Sequence, residues 1–110
     1  MQPGLDTVSD QDFDTKVRHS PVPVVLDFYA DWCGPCRQAD ELLQALRAEF
    51  AGKVSFVRVN VDDSENTTES FGVHAIPTFI FIENGQERGR QVGLLAEAEF
   101  RNALRKYFSP

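Results

Sequence analysis

From Val22 to Tyr29 the chain is apolar without alternation, interrupted only by Pro23 and Asp27, and it is rich in β-branched valine. A run of this kind is a strand buried on both faces. It needs helices above and below it, so the rest of the chain must supply an α/β architecture. Downstream, Ala39, Leu42, Leu43, Leu46 and Phe50 recur at helical spacing. They predict a long helix from about Gly34 to Phe50, with Gly52 as its C-cap. Between strand and helix lies Trp32-Cys33-Gly34-Pro35-Cys36, which holds both cysteines and the single tryptophan. The strand-to-helix turn therefore carries Cys33 at or just before the helix start and Cys36 in its first turn.

The remaining elements follow in order. Residues 1–4 are expected to fray, and Leu5 to Val8 to form a short edge strand. Ser9 reads as an N-cap with Asp10 and Asp12 in the first turn of a short helix, where the dipole favours negative charge. Phe13 and Val17 give that helix its buried stripe, and Pro21 and Pro23 end it. Val54 to Val61 is a second central strand. A polar stretch, Asp62 to Glu69, leads through a short helix to Phe71-Gly72. Thr78 to Ile82 is a third strand, and Asn84-Gly85 is a hairpin turn that pairs it antiparallel with a strand running through Arg88 to Val92. The last helix buries Leu95, Phe100, Ala103, Leu104, Tyr107 and Phe108, with an exposed Glu97–Arg101 pair at i,i+4. The order β-α-β-α-β-α-β-β-α predicts a mixed sheet of four to five strands with helices on both faces. At 110 residues, without repeat or linker, it reads as one domain, 1–110.

Charge and composition narrow the function. A net charge of −6 disfavours nucleic acid, whose phosphates it repels, and leaves no basic patch for an anionic membrane. No apolar run approaches the roughly 20 residues that span a bilayer. The start, Met1 to Asp6, lacks the basic and apolar regions of a secretory signal, so a cytoplasmic location is expected. Cysteines only two residues apart are a poor staple, because closing so short a loop removes little unfolded-state entropy. Redox work suits them better. A thiolate is the attacking species, and the unpaired N–H groups of a helix N-terminus stabilise it. Pro35 fits the first turn, where a missing N–H costs nothing. On this reading Cys33 is the exposed nucleophile, and Cys36, one turn in, is the covered resolving thiol. Two alternatives compete with it. Half a zinc site needs two further ligands, and only His19 and His74 exist, neither at zinc-finger spacing. An inert structural disulfide conflicts with the lack of a secretory signal.

The segment Val25 to Cys36, with Val57 to Asp62, Ile76-Pro77-Thr78-Phe79 and Val92-Gly93, resembles the thioredoxin family in order and spacing over nearly the whole chain. The Gly34-Pro35 pair between the cysteines is similar to the reducing members, not to the oxidising relatives that carry a histidine there. The resemblance implies the thioredoxin fold, a monomer, and reduction of protein disulfides through Cys33 and Cys36. It implies no bound cofactor, with NADPH used indirectly through a flavoprotein, thioredoxin reductase. A thioredoxin-fold module that only holds a partner, and a specialised oxidant or isomerase, are the competing functions.

Other residues gain roles from both sources. A carboxylate inside an apolar strand pays for desolvation, so Asp27 should have a raised pKa. The resemblance makes it the base that serves Cys36, whereas on sequence alone a loop-capping aspartate stays open. Arg58 matches a family lysine near that aspartate and is either its charge partner or a snorkelling strand arginine. Ile76-Pro77 matches the family's cis-proline loop, which faces the cysteines and lets the Ile76 backbone pair with an extended substrate. Trp32, Ala75, Ile76, Pro77, Val92 and Gly93 then form an apolar rim around Cys33, although Ile76 and Val92 also read as ordinary core. His74 reads as a loop residue and His19 as a helix-end residue, neither with catalytic work. The chain departs from the family at Asp40 and Glu41, where Glu41 replaces a proline that kinks the long helix. The helix should therefore run unbroken. Asp40 disfavours a second negative charge on Cys36 or Asp27, and Arg37 is expected to pair with it.

Overall fold

Six consecutive buried residues, Val24–Tyr29, form the middle strand of a five-stranded mixed sheet. The computed structural model describes residues 5–110, so the expected fraying of 1–4 lies outside the described residues. In chain order the elements are β1 (Asp6–Val8), a π-helical turn (Asp14–Arg18), β2 (Val24–Tyr29), α1 (Gly34–Glu49), β3 (Ser55–Asn60), α2 (Glu65–Ser70), β4 (Thr78–Glu83), β5 (Gln86–Val92) and α3 (Glu97–Tyr107). The spatial order is β1-β3-β2-β4-β5. β1 and β2 run parallel to β3, while β4 is antiparallel to β2 and β5 to β4.

Period-2 alternation sorts each strand between two cores. Val25, Phe56, Phe79 and Phe81 face α1 and α3, packing on Ala39, Leu43, Leu46, Phe100, Ala103 and Leu104. Val24, Leu26, Phe28, Val57, Val59, Ile80 and Ile82 face the other way, against Phe13, Val17 and Phe71. Each large side chain buried this completely contributes about 1.5–3 kcal/mol of transfer free energy. The same alternation turns Asp27 and Arg58, in register across β2 and β3, toward the face covered by α1.

Local sequence explains most boundaries. Pro23 lacks an N–H, so β2 starts at Val24, later than the apolar run. At Asn84 and Gly85 the φ values are +55° and +76°, both positive as a two-residue type I′ hairpin requires. The β4–β5 ladder then slips between Phe81 and Ile82, making a bulge at Arg88. α1 continues through Asp40 and Glu41 as one unbroken helix and ends at Phe50, followed by Gly52 at φ +80°. Glu97 pairs with Arg101 as expected, and Arg101 also binds Glu49 of α1, tying the two helices together.

The N-terminal segment differs from its sequence reading. Ser9 and Asp12 do form local caps: the Ser9 N–H donates to Asp12 Oδ1 at 2.6 Å, and the Gln11 N–H donates to Ser9 Oγ at 3.3 Å. No regular α-helix follows, only a turn and then the π-helical turn. Asp10 serves another element. It accepts from the Thr67 N–H (2.8 Å), the Thr67 hydroxyl (2.6 Å) and the Asn66 N–H (3.2 Å), capping α2. Ser64, at the helix's own N-cap position, makes no side-chain cap. The acid is thus spent on orphan donors 56 residues away instead of on its own turn.

Candidate active site

β2 ends at Tyr29, and four residues later the chain turns into α1 with Cys33 as N-cap in an extended conformation. Pro35 occupies the first turn. The cysteines are joined as a disulfide, with Cα atoms 5.3 Å apart. The Cys36 N–H donates to Cys33 Sγ at 3.3 Å, so the first sulfur already sits where a helix-terminal amide can stabilise negative charge. Sequence reasoning expected Cys33 to be exposed. In fact Cys33 is 6% and Cys36 1% exposed, because Tyr29, Ala30, Val61 and Ile76 pack around the pair. Both cysteines are buried, Cys36 the more completely.

Ile76 and Pro77 form the wall opposite. The bond between them is cis. Thr78 Oγ1 donates to the Ala75 carbonyl at 2.6 Å and the Gly93 N–H to the Pro77 carbonyl at 2.8 Å, joining this loop to the end of β5. Among the described residues none hydrogen-bonds to the Ile76 backbone. Val92 is 63% exposed, not in the core, and Trp32 is 70% exposed with its indole N–H on Asp62 Oδ2 at 3.0 Å. Ala75 is exposed, Ile76 and Gly93 are half-buried, Pro77 is buried and Gly34 is exposed. His19 and His74 are exposed and separate from this cluster. Among the described residues no group of three or more histidine, cysteine or acidic side chains is placed to hold a metal ion.

Arg58 joins Asp27 and Asp40 in a charged cluster, two members of which share a cavity with Cys36. Asp27 is fully buried. Burial pushes its carboxyl up to about 7; the Arg58 charge draws it back, and Asp40 adds to the rise. Arg58 Nε is 3.6 Å from Asp27 Oδ2, an ion pair too long for a hydrogen bond. No described residue donates to either Asp27 oxygen. A cavity of about 350 Å³ is lined by Cys36 together with Arg58 and Asp40, and by Tyr29, Arg37 and Glu41 among others.

The expected Arg37–Asp40 pair does not form. Arg37 Nη2 turns back to the Asp31 carbonyl at 3.0 Å, and Asp40 pairs with Arg58 Nη1 at 3.6 Å while accepting from Gln44 Nε2 at 2.9 Å. A loop carbonyl within reach satisfies Arg37, and the strand arginine below α1 takes the acid. Sequence reasoning missed this link, and also the stacking of Arg58 on Tyr29, because both join residues distant in the chain.

A vicinal dithiol at a helix N-terminus can take and give two electrons by disulfide exchange. Held in a mixed sheet with helices on both faces, it defines the protein as a thiol–disulfide oxidoreductase whose working group is its own disulfide. The thioredoxin family model matches residues 4–106. A thioredoxin of Haemophilus influenzae is 44% identical over 100 residues, which cover 91% of this chain and 94% of that protein. A thioredoxin of Synechocystis sp. is 36% identical over the same shares. A chloroplastic M-type thioredoxin of Pisum sativum is 36% identical over 103 residues, 94% of this chain and 60% of its own length. The chain belongs to the thioredoxin family.

Proposed function

We propose that this chain, working as a monomer of one domain, reduces protein disulfides with Cys33 as nucleophile, Cys36 as resolving thiol and Asp27 as proton acceptor. The Cys33 thiolate attacks one sulfur of a target disulfide; the other target sulfur leaves as a thiolate and takes a proton. Cys36 gives its proton to the Asp27 carboxylate and attacks Cys33 Sγ, which closes the Cys33–Cys36 disulfide and frees the second target thiolate. Two electrons pass to the target. Thioredoxin reductase returns them from NADPH.

What supports this reading is a fully buried carboxyl, Asp27, which burial raises to about 7 and which Arg58 ties to the cavity that Cys36 lines. Near neutral pH both its forms are populated, as a proton acceptor that must recycle requires. Gly34 and Pro35 set the spacing of the thiols, and the unpaired Ile76 backbone offers an extended target a strand-like partner. Trp32, Ala75, Pro77, Val92 and Gly93 supply apolar contact around it. A compartment that keeps thiols reduced suits this work, and the reading assigns it to the cytoplasm. No helix among the described residues is long and apolar enough to cross a membrane.

The test is catalytic reduction of a protein disulfide with thioredoxin reductase and NADPH. Substoichiometric protein should give many turnovers, and Cys33→Ser should give none. Turnover by Cys33→Ser, or a wild type that binds targets without reducing them, overturns the reading.

A further inference from the structure

Arg58 serves two carboxylates at once. Its Nε is 3.6 Å from Asp27 and its Nη1 is 3.6 Å from Asp40. Its guanidinium carbon lies 3.5 Å from the centre of the Tyr29 ring. An arginine facing one carboxylate closes a two-pronged hydrogen-bonded fork. Here the fork is split, and Arg58 Nε and both Asp27 oxygens have no hydrogen-bond partner among the described residues. Contact with the Tyr29 ring face closes one side to the guanidinium and keeps it between the two acids. Gln44 holds the Asp40 side chain by a hydrogen bond.

We propose that Asp40 is a positioning residue for the proton transfer at Cys36: it anchors the Arg58 guanidinium at the cavity and so prevents a full ion pair from closing on Asp27. The catalytic consequence rests on the proposed role of Asp27; the anchoring itself does not. The charged groups facing Asp27 are Arg58 from β3 and Asp40 from α1. Asp31, Arg37 and Glu41 line the cavity at its exposed side. From β4 the residue in register is Phe79, which is apolar. Removing the Asp40 charge acts on Asp27 twice in one direction. A repelling carboxylate disappears, and Arg58 is left with Asp27 as its counter-charge, so Asp27 ionises at lower pH.

The experiment follows the Asp27 side-chain carboxyl carbon by NMR across pH in the oxidised full chain, assigned by its loss in Asp27→Asn. Asp40→Asn keeps the shape of the anchor without its charge, and Asp40→Ala removes both. In each the Asp27 midpoint should fall by about one pH unit, and Asp40→Glu should restore it. The pH midpoint for resolution of a mixed disulfide should fall by the same amount. An Asp27 midpoint unchanged in both Asp40→Asn and Asp40→Ala overturns the anchor, whatever happens to the rates. A midpoint that moves in a chain without reductase turnover supports the anchor and removes the proposed function instead.

Discussion

Asp27→Asn should make the protein more stable, by an amount set by pH. Burial raises the folded carboxyl from the ordinary 3.8 of an aspartate to about 7. At about 1.4 kcal/mol per unit, ionising Asp27 costs the fold roughly 4 kcal/mol, with the attraction of Arg58 already included. Because the folded pKa is raised, the folded state keeps a proton that the unfolded chain releases. The associated stability is fully present below about pH 4 and is lost as pH rises through about 7. Asparagine never ionises and meets the same surroundings as the neutral acid, and Arg58 keeps Asp40 as a partner. Urea unfolding of both oxidised proteins from pH 4 to 9 should show nearly equal stability at the acid end. The mutant's advantage should then grow to roughly 4 kcal/mol by pH 8. Other titrating groups cancel in the difference. A difference that does not change with pH, or a wild type that is the more stable at pH 8, refutes the buried-charge argument.

Limited alkylation of the reduced protein near neutral pH should label Cys33 before Cys36, read by mass spectrometry of the peptides; equal labelling contradicts the roles assigned to them. Gly89→Ala should lower stability by about 1–3 kcal/mol, measured by denaturant unfolding, because a Cβ there overlaps the Tyr107 ring, whose hydroxyl accepts from Gln91 Nε2. Asp10→Ala should lower the thermal midpoint at neutral pH. The hydrogen bonds from Thr67 and Asn66 hold the Asp10 pKa below its usual value, so its contribution is present above that value and fades on acidification.

What a linear reading reaches depends on how far apart the interacting residues lie. β2 declares itself because burial on both faces removes alternation, and the β4–β5 hairpin because only a few residue types accept two positive φ values in succession. The Cys33 helix start was readable from Pro35 and the apolar period behind it. Asp10 escapes a linear reading because a dipole argument can assign an acid only to the nearest helix, whereas its donors are on α2. Helical spacing pairs Arg37 with Asp40, yet a loop carbonyl and a strand arginine compete for the two groups. That competition is a fact of the tertiary structure. Cys33's burial likewise comes from Ile76 and Val61, which reach the cysteines only once the sheet has formed.

The bond from Asp10 to α2 also sets an order of events during synthesis. β1 and Asp10 are made before the elements they bind: among the described residues β1 pairs with β3, and Asp10 caps Asn66 and Thr67. At about 5–20 residues per second, Asp10 waits roughly 3–11 s for its partner to be made. Through that interval the nascent N-terminal segment lacks its bonds to α2, and Phe13 lacks the Phe71 ring that packs on it. Closing a loop of this length is an entropic cost paid before α2 gains its cap. α2 and the N-terminal segment should consequently become protected from hydrogen exchange together, after the β2–α1–β3 unit rather than before it.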